Sequence, residues 1–546
     1  MLKLSEAERT LALLAATPGW AELAQSHDID DQTVIAVLDE AAKFAREELH
    51  PIGVSGDSEG CRLQDGRVIT PRGYPDAFAA MAEGGWQAMD LPDELGGQGL
   101  PTAMHSAASL FFEAEAMAFM MSASRPAAHL INALSPEIAR QWLPKLAAGE
   151  WATTICISEP GAGSDVGRIR TKATRTDEGW QVSGSKCWIS FGDHDLSSRI
   201  GHCMLARTGS PEAGTRGLSL FLVPDRHEDG SRNGVSVSRI EEKLGIHGSP
   251  TCVMDFDASH ANLLGDEGRG IQQMFRMIEL MRLQTACQGL GVAQRATRIA
   301  FGYASERLQG GMPDKPPVPI IEHADVRRQL TAMDAQTEVL RAVVLEVSVL
   351  LDQARAGDER AGDIAAFLLP LAKNFGGETA FNVANSALQV LGGAGYTREW
   401  PIEQLLRDAR VITIYEGTTG IQAQDFLHRR VLRDKGKTLD LFLSQARAEL
   451  SSCSDASVKR AVQLLLDRFA ALSECFIKGS SGVSSANLSA DGYMRAGWVA
   501  VSSLMVCRML DVEDLSKLAY FRLHQLSAEM SVAENACSIS SEWVMQ

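Results

Sequence analysis

The sequence predicts an α+β protein in which helices flank a β-rich centre, and three observations carry that expectation. Apolar residues recur at helical spacing up to about residue 150. Short β-branched and aromatic runs separated by turns then replace them. From Gly268 the helical period returns, in stretches long enough for a bundle. The predicted domains are a helical segment over 1–150, a small antiparallel barrel or sandwich over 151–266, a four-helix bundle over 267–432 and an additional helical region over 433–546.

Taken in order, Val34, Val37, Leu38, Ala41 and Phe44 mark a helix from Asp30 to about His50, which Pro51 is expected to stop. Further helices are predicted around 74–85, 103–121 and 136–146. The β-rich runs are 152–157, 179–183, 186–190, 217–223, 235–240 and 251–256. Amphipathic stretches at about 270–308, 323–356 and 362–391 form the bundle, with a shorter one after residue 422. In the last region Trp498, Val499, Val501, Leu504, Met505 and Leu510 make an apolar stretch needing cover, which suggests an assembly element.

Composition narrows the function. A 546-residue chain with 45% hydrophobic and 22% charged residues is that of a soluble globular enzyme. Its net charge of -17 disfavours nucleic acid and anionic membrane surfaces as partners. Ten cysteines without CxxC or Cys/His spacing read as reduced thiols of a cytoplasmic protein, with no metal site. No secretory signal opens the chain, and the run Ala496 to Cys507 is too short to span a bilayer.

Four stretches carry chemistry. In Ile414-Tyr415-Glu416-Gly417-Thr418 a carboxylate sits on a turn beside apolar residues, where desolvation makes it a better proton acceptor, or where, taken alone, it is a loop acid capping the helix that follows. In Ser158-Glu-Pro-Gly-Ala-Gly-Ser-Asp165 two glycines open a loop with hydroxyl donors at Ser158 and Ser164. Val166 occupies the place of the third glycine of a dinucleotide fingerprint, so a Rossmann site is rejected. In Lys186-Cys-Trp-Ile-Ser190 strand alternation puts Trp188 and Ser190 on one face, which suits a flat aromatic ligand or a core tryptophan. Gln389-Val-Leu-Gly-Gly-Ala-Gly395 ends a helix in three glycines, which lets main-chain N–H groups approach a ligand phosphate or amide, or is an ordinary glycine helix stop.

In this order the four stretches resemble the acyl-CoA dehydrogenase family over roughly 35–435. The long C-terminal extension, Lys243–Thr251 and Pro319–Arg328 are similar to its larger members, including 3-(methylthio)propanoyl-CoA dehydrogenases and broad-range fatty acyl-CoA enzymes. The resemblance implies FAD between the middle and C-terminal domains. Ile157, Ser158, Ser164, Trp188 and Ser190 would line the flavin and thioester. Arg307 would meet the pyrophosphate, Gln389, Gly392 and Gly393 the FAD of a neighbouring subunit, and Thr418 its phosphates or adenine. Glu416 falls on the family's catalytic base, with Arg282 beside it and Gly417 and Ser164 at the substrate. The implied reaction is α,β-dehydrogenation of an acyl-CoA to the trans-2-enoyl-CoA. Glu416 takes the α-proton while the β-hydride passes to the flavin, and the carbonyl is polarised by the Glu416 N–H and a ribityl hydroxyl. An electron-transferring flavoprotein is the implied acceptor, and a homodimer, or else a tetramer, the implied assembly.

Ile155 departs from the family pattern, standing where relatives often carry an aromatic residue. Ala324 departs from it too, replacing a flavin-contacting glutamine or a proline. The helix Glu113–Met121 would wall the acyl pocket and runs into Arg125. That guanidinium suits a short or polar acyl chain such as 3-(methylthio)propanoyl-CoA, or else snorkels to solvent or pairs with Glu113 or Glu115. Two other readings keep the fold: an acyl-CoA oxidase using O2, and a DNA-associated, non-catalytic relative. The second predicts a basic C-terminal region, against which stand 12 Lys+Arg and 13 Asp+Glu from Arg433 onwards.

Overall fold

The computed structural model describes residues 4–122, 134–479, 485–539, 542 and 544. They pack as two compact units, one of Met1–Ala42, Pro101–Ala114 and Arg282–Gln546, the other of Lys43–Leu100 and Glu115–Met281. Each unit is assembled from separate stretches of the chain. Residues 1–42 and 101–114 join the helical unit, and the region beyond 433 is continuous with it.

Helix α1 (Glu6–Ala15) starts on a capping box in which Ser5 Oγ accepts from Glu8 N–H at 3.2 Å and Ser5 N–H donates back to the Glu8 carboxylate at 2.6 Å. After α2 (Trp20–Ser26) comes α3 (Asp31–Phe44), which passes through a π-helical turn, Ala45–Leu49, directly into α4 (His50–Glu59). Pro51 does not stop this run. It falls just after the π-helical turn, whose wider spacing accommodates a residue that donates no N–H, and Gly60 at φ +66° ends the helix instead.

The β-containing unit holds a short hairpin, β1 (Arg62–Gln64) with β2 (Arg67–Ile69), helix α5 (Tyr74–Glu83) and a seven-stranded sheet. Its strands are β3 (Trp151–Cys156), β4 (Lys172–Thr176), β5 (Gly179–Ser190), β6 (Arg199–Arg207), β7 (Leu218–Pro224), β8 (Val235–Ile240) and β9 (Thr251–Leu263). The order β3-β6-β4-β5-β9-β7, with β7 returning to β6, closes a barrel, and β8 adds to β9. The barrel is not purely antiparallel as expected: β3 runs parallel to β6, and β4 meets β6 in parallel at Lys172 and Arg207. The predicted strands at 179–183 and 186–190 are one strand, bent at a bulge around Gly184. Strand β6 was not expected at all. Both of its faces are buried, Met204 and Ala206 in the barrel core and Cys203 and Leu205 against helix α7 (Pro136–Ala147), so it shows no alternation of apolar and polar residues.

The helical unit contains the start of α6 (Thr102–Met120), most of α8 (Gly270–Glu306), and α9 (Ala324–Arg355) and α10 (Glu359–Leu391). Helix α6 begins where the Thr102 and Ala103 N–H groups donate to the Asp352 carboxylate, each at 2.9 Å. After α11 (Ile402–Ala409) the β-branched run continues as a 3-10 turn, Arg410–Thr413, and α12 (Thr419–Gln424) follows the Glu416 loop. The last region supplies α13 (Lys437–Ser451), α14 (Ala456–Lys478), α15 (Ala486–Leu510) and α16 (Ser516–Cys537). Its apolar stretch is covered within the chain. Trp498 stacks on Phe375 of α10 with ring centroids 4.7 Å apart, and Val499, Val501, Leu504 and Met505 are buried. Arg508 joins α15 to α9 and α13, meeting the Glu346 carboxylate on one side and Glu449 at 2.6 and 2.9 Å on the other.

Removing one partner of such a pair strands a charge out of water. Arg508→Leu is expected to destabilise the helical unit by about 3–5 kcal/mol in chemical denaturation, and a loss below about 1 kcal/mol would mean that Glu346 finds water or another partner.

Candidate active site

The loop carrying Glu416 is built from backbone strain and side-chain tethers. Glu416 itself has φ +53°, the left-handed region, and Gly417 follows at φ +91°. A non-glycine residue persists there only where its surroundings fix it. Three carbonyls in succession are held. Lys373 Nζ, from the buried face of α10, donates to Tyr415 O at 2.6 Å and Gly417 O at 2.8 Å, and Gln422 Nε2 donates to Glu416 O at 2.8 Å. The Tyr415 hydroxyl donates to the Gln288 side chain on α8. Gly377 lets α10 approach this segment closely, since a Cβ there would lie 2.8 Å from Thr413 Cγ2 and 2.9 Å from Ile412 Cγ2.

Burial raises the Glu416 pKa above the ordinary glutamate value, and the charges of Lys373 and then Arg282 oppose the rise. Arg282, buried on α8, donates to Asp425 Oδ2 at 2.6 Å, and Arg429 and Arg430 also face that carboxylate at 3.4 and 3.7 Å. Thr418 is exposed at the start of α12. Arg307, Gln389, Gly392 and Gly393 are exposed too, at the ends of α8 and α10, away from the tethers of the Glu416 loop. Arg125 lies outside the described residues.

In the β-containing unit a second buried lysine performs a similar task. Lys186 Nζ donates to Ile157 O at 2.9 Å and to the Glu159 carboxylate at 2.8 Å, while Cys187 N–H donates to Ser158 O at 2.9 Å. Glu159 also accepts from the N–H groups of Arg170 and Thr171 at 2.7 and 3.0 Å, which fixes the glycine loop at its root. Ile157, Ser158 and Trp188 are thereby brought to one end of β3 and β5, with Ser190 half-buried two residues on and Ser164 exposed in the loop. Trp188 lies in a bulge between Lys186 and Ile189 at φ +63°, with 61% of its surface exposed. It is not a core residue.

Models of the N-terminal, middle and C-terminal domains of acyl-CoA dehydrogenases match residues 31–150, 154–259 and 268–432. The chain belongs to the acyl-CoA dehydrogenase family. It is 39% identical to the 3-methylmercaptopropionyl-CoA dehydrogenase of Ruegeria pomeroyi over 463 residues, 81% of this chain and 78% of that protein. It is 35% identical to the broad-specificity linear acyl-CoA dehydrogenase FadE5 of Mycobacterium tuberculosis over 439 residues, 76% of this chain and 72% of that one. Among solved structures, an acyl-CoA dehydrogenase of Bacillus anthracis complexed with FAD shares the fold with a TM-score of 0.76 at 20% identity, over 97% of this chain and 91% of that chain.

This acyl-CoA dehydrogenase is thus an oxidoreductase acting on acyl-CoA. Sequence reading passed over the residues that hold its site, namely Lys186, Glu159, Lys373 and Gln422. A lysine in an apolar stretch, as in Leu371-Ala-Lys373-Asn-Phe375, is a signal that could have found Lys373.

Gly417→Ala tests the turn. A Cβ at φ +91° would stand 2.8 Å from the Gln422 Nε2 that holds Glu416 O. Strain of about 1–2 kcal/mol is expected, which lowers kcat by about tenfold with the fold retained. Steady-state kinetics within about twofold of wild type would show that the turn tolerates a side chain.

Proposed function

We propose that the enzyme is an FAD-dependent dehydrogenase that converts short or polar acyl-CoA thioesters, such as 3-(methylthio)propanoyl-CoA, to their trans-2-enoyl-CoA products, with Glu416 as the base. The observation that carries the reading is a carboxylate on a strained, tethered turn, shielded enough to be a stronger base than a free glutamate. FAD, when bound, supplies the two-electron oxidation by accepting a hydride from the substrate β-carbon.

Groups that suit such a cofactor lie exposed in each unit taken by itself. The exposed Trp188 indole offers a flat apolar surface, with Ile157 and Ser158 at the adjoining end of β3, Ser190 two residues on, and Ser164 exposed in the glycine loop. Around Gly161, Gly163, Gly392 and Gly393 there is open space where a Cβ would stand, so main-chain N–H groups can reach a ligand. Arg307, Gln389 and Thr418 are exposed and available for phosphate and adenine contacts. Glu416 removes the α-proton, and the charges of Lys373 and then Arg282 favour its carboxylate form against the effect of burial.

The acyl preference rests on two supports. One is the similarity to the Ruegeria pomeroyi enzyme. The other is Glu113, fully buried on α6 with Oε1 accepting from Gln284 at 2.6 Å and Oε2 without a partner. Burial pushes its pKa well above the usual range, and its partnerless oxygen is a polar group that a polar acyl tail would satisfy. The electron acceptor is an electron-transferring flavoprotein, the assembly a homodimer and the compartment the cytoplasm.

Anaerobic bleaching of the yellow protein by a panel of acyl-CoA thioesters is expected to be fastest with short or polar chains; a preference for long saturated chains would sink that assignment. Glu416→Gln should retain the flavin and lose about 10²–10⁴-fold in turnover. Because only the ionised base works and burial raises its pKa, kcat/KM should fall on the acid side at a pH above the ordinary glutamate range. Light scattering of the holoenzyme should give twice the chain mass of 59.0 kDa, and a stable monomer would exclude the dimer.

A further inference from the structure

Lys373 is completely buried, yet no substrate role falls on it. Its Nζ reaches the two carbonyls on either side of Glu416, Tyr415 O at 2.6 Å and Gly417 O at 2.8 Å, and lies 5.9 Å from the centre of the Tyr415 ring. Burying an ammonium is costly, and here its hydrogen bonds go to neutral main-chain oxygens rather than to a carboxylate. A neutral donor such as glutamine would tether the same carbonyls at lower cost. What the lysine adds is a positive charge beside Glu416.

We infer that Lys373 is the positioning residue of the catalytic base: it locks the left-handed turn through two carbonyls and supplies the charge that keeps the Glu416 carboxylate ionised. This rests on the reading of Glu416 as the base. The groups facing the pair are few. Arg282 comes from α8 and is committed to Asp425, which Arg429 and Arg430 also face. Tyr415 belongs to the loop itself, and Glu113 of α6 acts on Tyr415. Among these, Lys373 is the larger of the two cationic influences on Glu416, ahead of Arg282. The dependence is mutual. Burial pulls Lys373 down to about 7, and the Glu416 charge is what supports its ammonium. Without that ammonium the effect of burial on Glu416 is less opposed, so its pKa rises and the acid limb of activity moves to higher pH.

Three holoenzyme variants separate the two roles. K373R keeps the charge, K373Q keeps N–H donors without it, and K373M keeps neither. The readouts are the pH profile of kcat/KM, the thermal midpoint, and an infrared titration of the Glu416 carboxyl stretch with E416Q as the blank. K373Q and K373M are expected to raise both the acid limb and the infrared titration by about one pH unit or more. K373M should lose about a further tenfold in kcat through the untethered loop, and K373R should leave the titration in place. An unmoved titration in folded K373Q overturns the proposal, and so does an upward shift in K373R. If K373M fails to fold, K373Q decides. The infrared titration follows Glu416 whether or not it is the base. Normal turnover in E416Q would therefore sink the base assignment and leave the Lys373 test readable.

Discussion

A general base for a weakly acidic carbon must be dry enough to be strong and charged enough to act. These demands oppose each other, because burial favours the neutral form. The helical unit answers with buried ions that are already paired. Arg341 holds Glu338, Arg508 lies between Glu346 and Glu449, and Arg282 holds Asp425. Against that background Lys373 stands out, since its hydrogen-bond partners are carbonyls and the acid whose charge favours its ammonium is Glu416, the proposed base. The bundle is therefore more than a support for the loop. Its interior fixes the charge state of the residue the loop presents.

The β-containing unit uses the same device for a different end. Lys186 reaches the Ile157 carbonyl as Lys373 reaches those of Tyr415 and Gly417, but it has the Glu159 carboxylate as a partner and so is a closed pair. The result is shape without reactivity: a glycine loop pinned at its root and an indole pushed out of a bulge. Trp188 and Glu416 both hold positive φ, and each lies within two residues of a group bonded to a buried lysine or of that lysine itself. Strained residues of this kind are stable only where neighbouring bonds over-determine them.

The C-terminal region follows the same economy of buried surface. Its apolar helix α15 reads in isolation as a face awaiting another chain. In the fold it completes the helical unit instead, with Trp498 on Phe375 and Arg495 on Glu378 at 2.8 and 3.0 Å. Hydrophobic periodicity shows that a surface will be covered, and says nothing of which segment covers it.

The helices, the β-rich centre and the turn at Glu416 were legible in the sequence because each depends on local properties: helical spacing, β-branched runs, and glycines where the backbone needs freedom. The parallel pairing of β3 with β6, the burial of β6 on both faces and the passage of the chain through Pro51 were not legible. Each depends on what lies across the fold rather than along it. The site divides in the same way. A glutamate before a glycine marks the turn, but its proton affinity is raised by burial and held back by Lys373, 43 positions back on α10, and Arg282, on α8. Sequence by itself determined which groups the enzyme has. Only the tertiary structure decided their charge, because a pKa depends on distance to other charges and on exclusion of water, and neither is a property of neighbours in the chain.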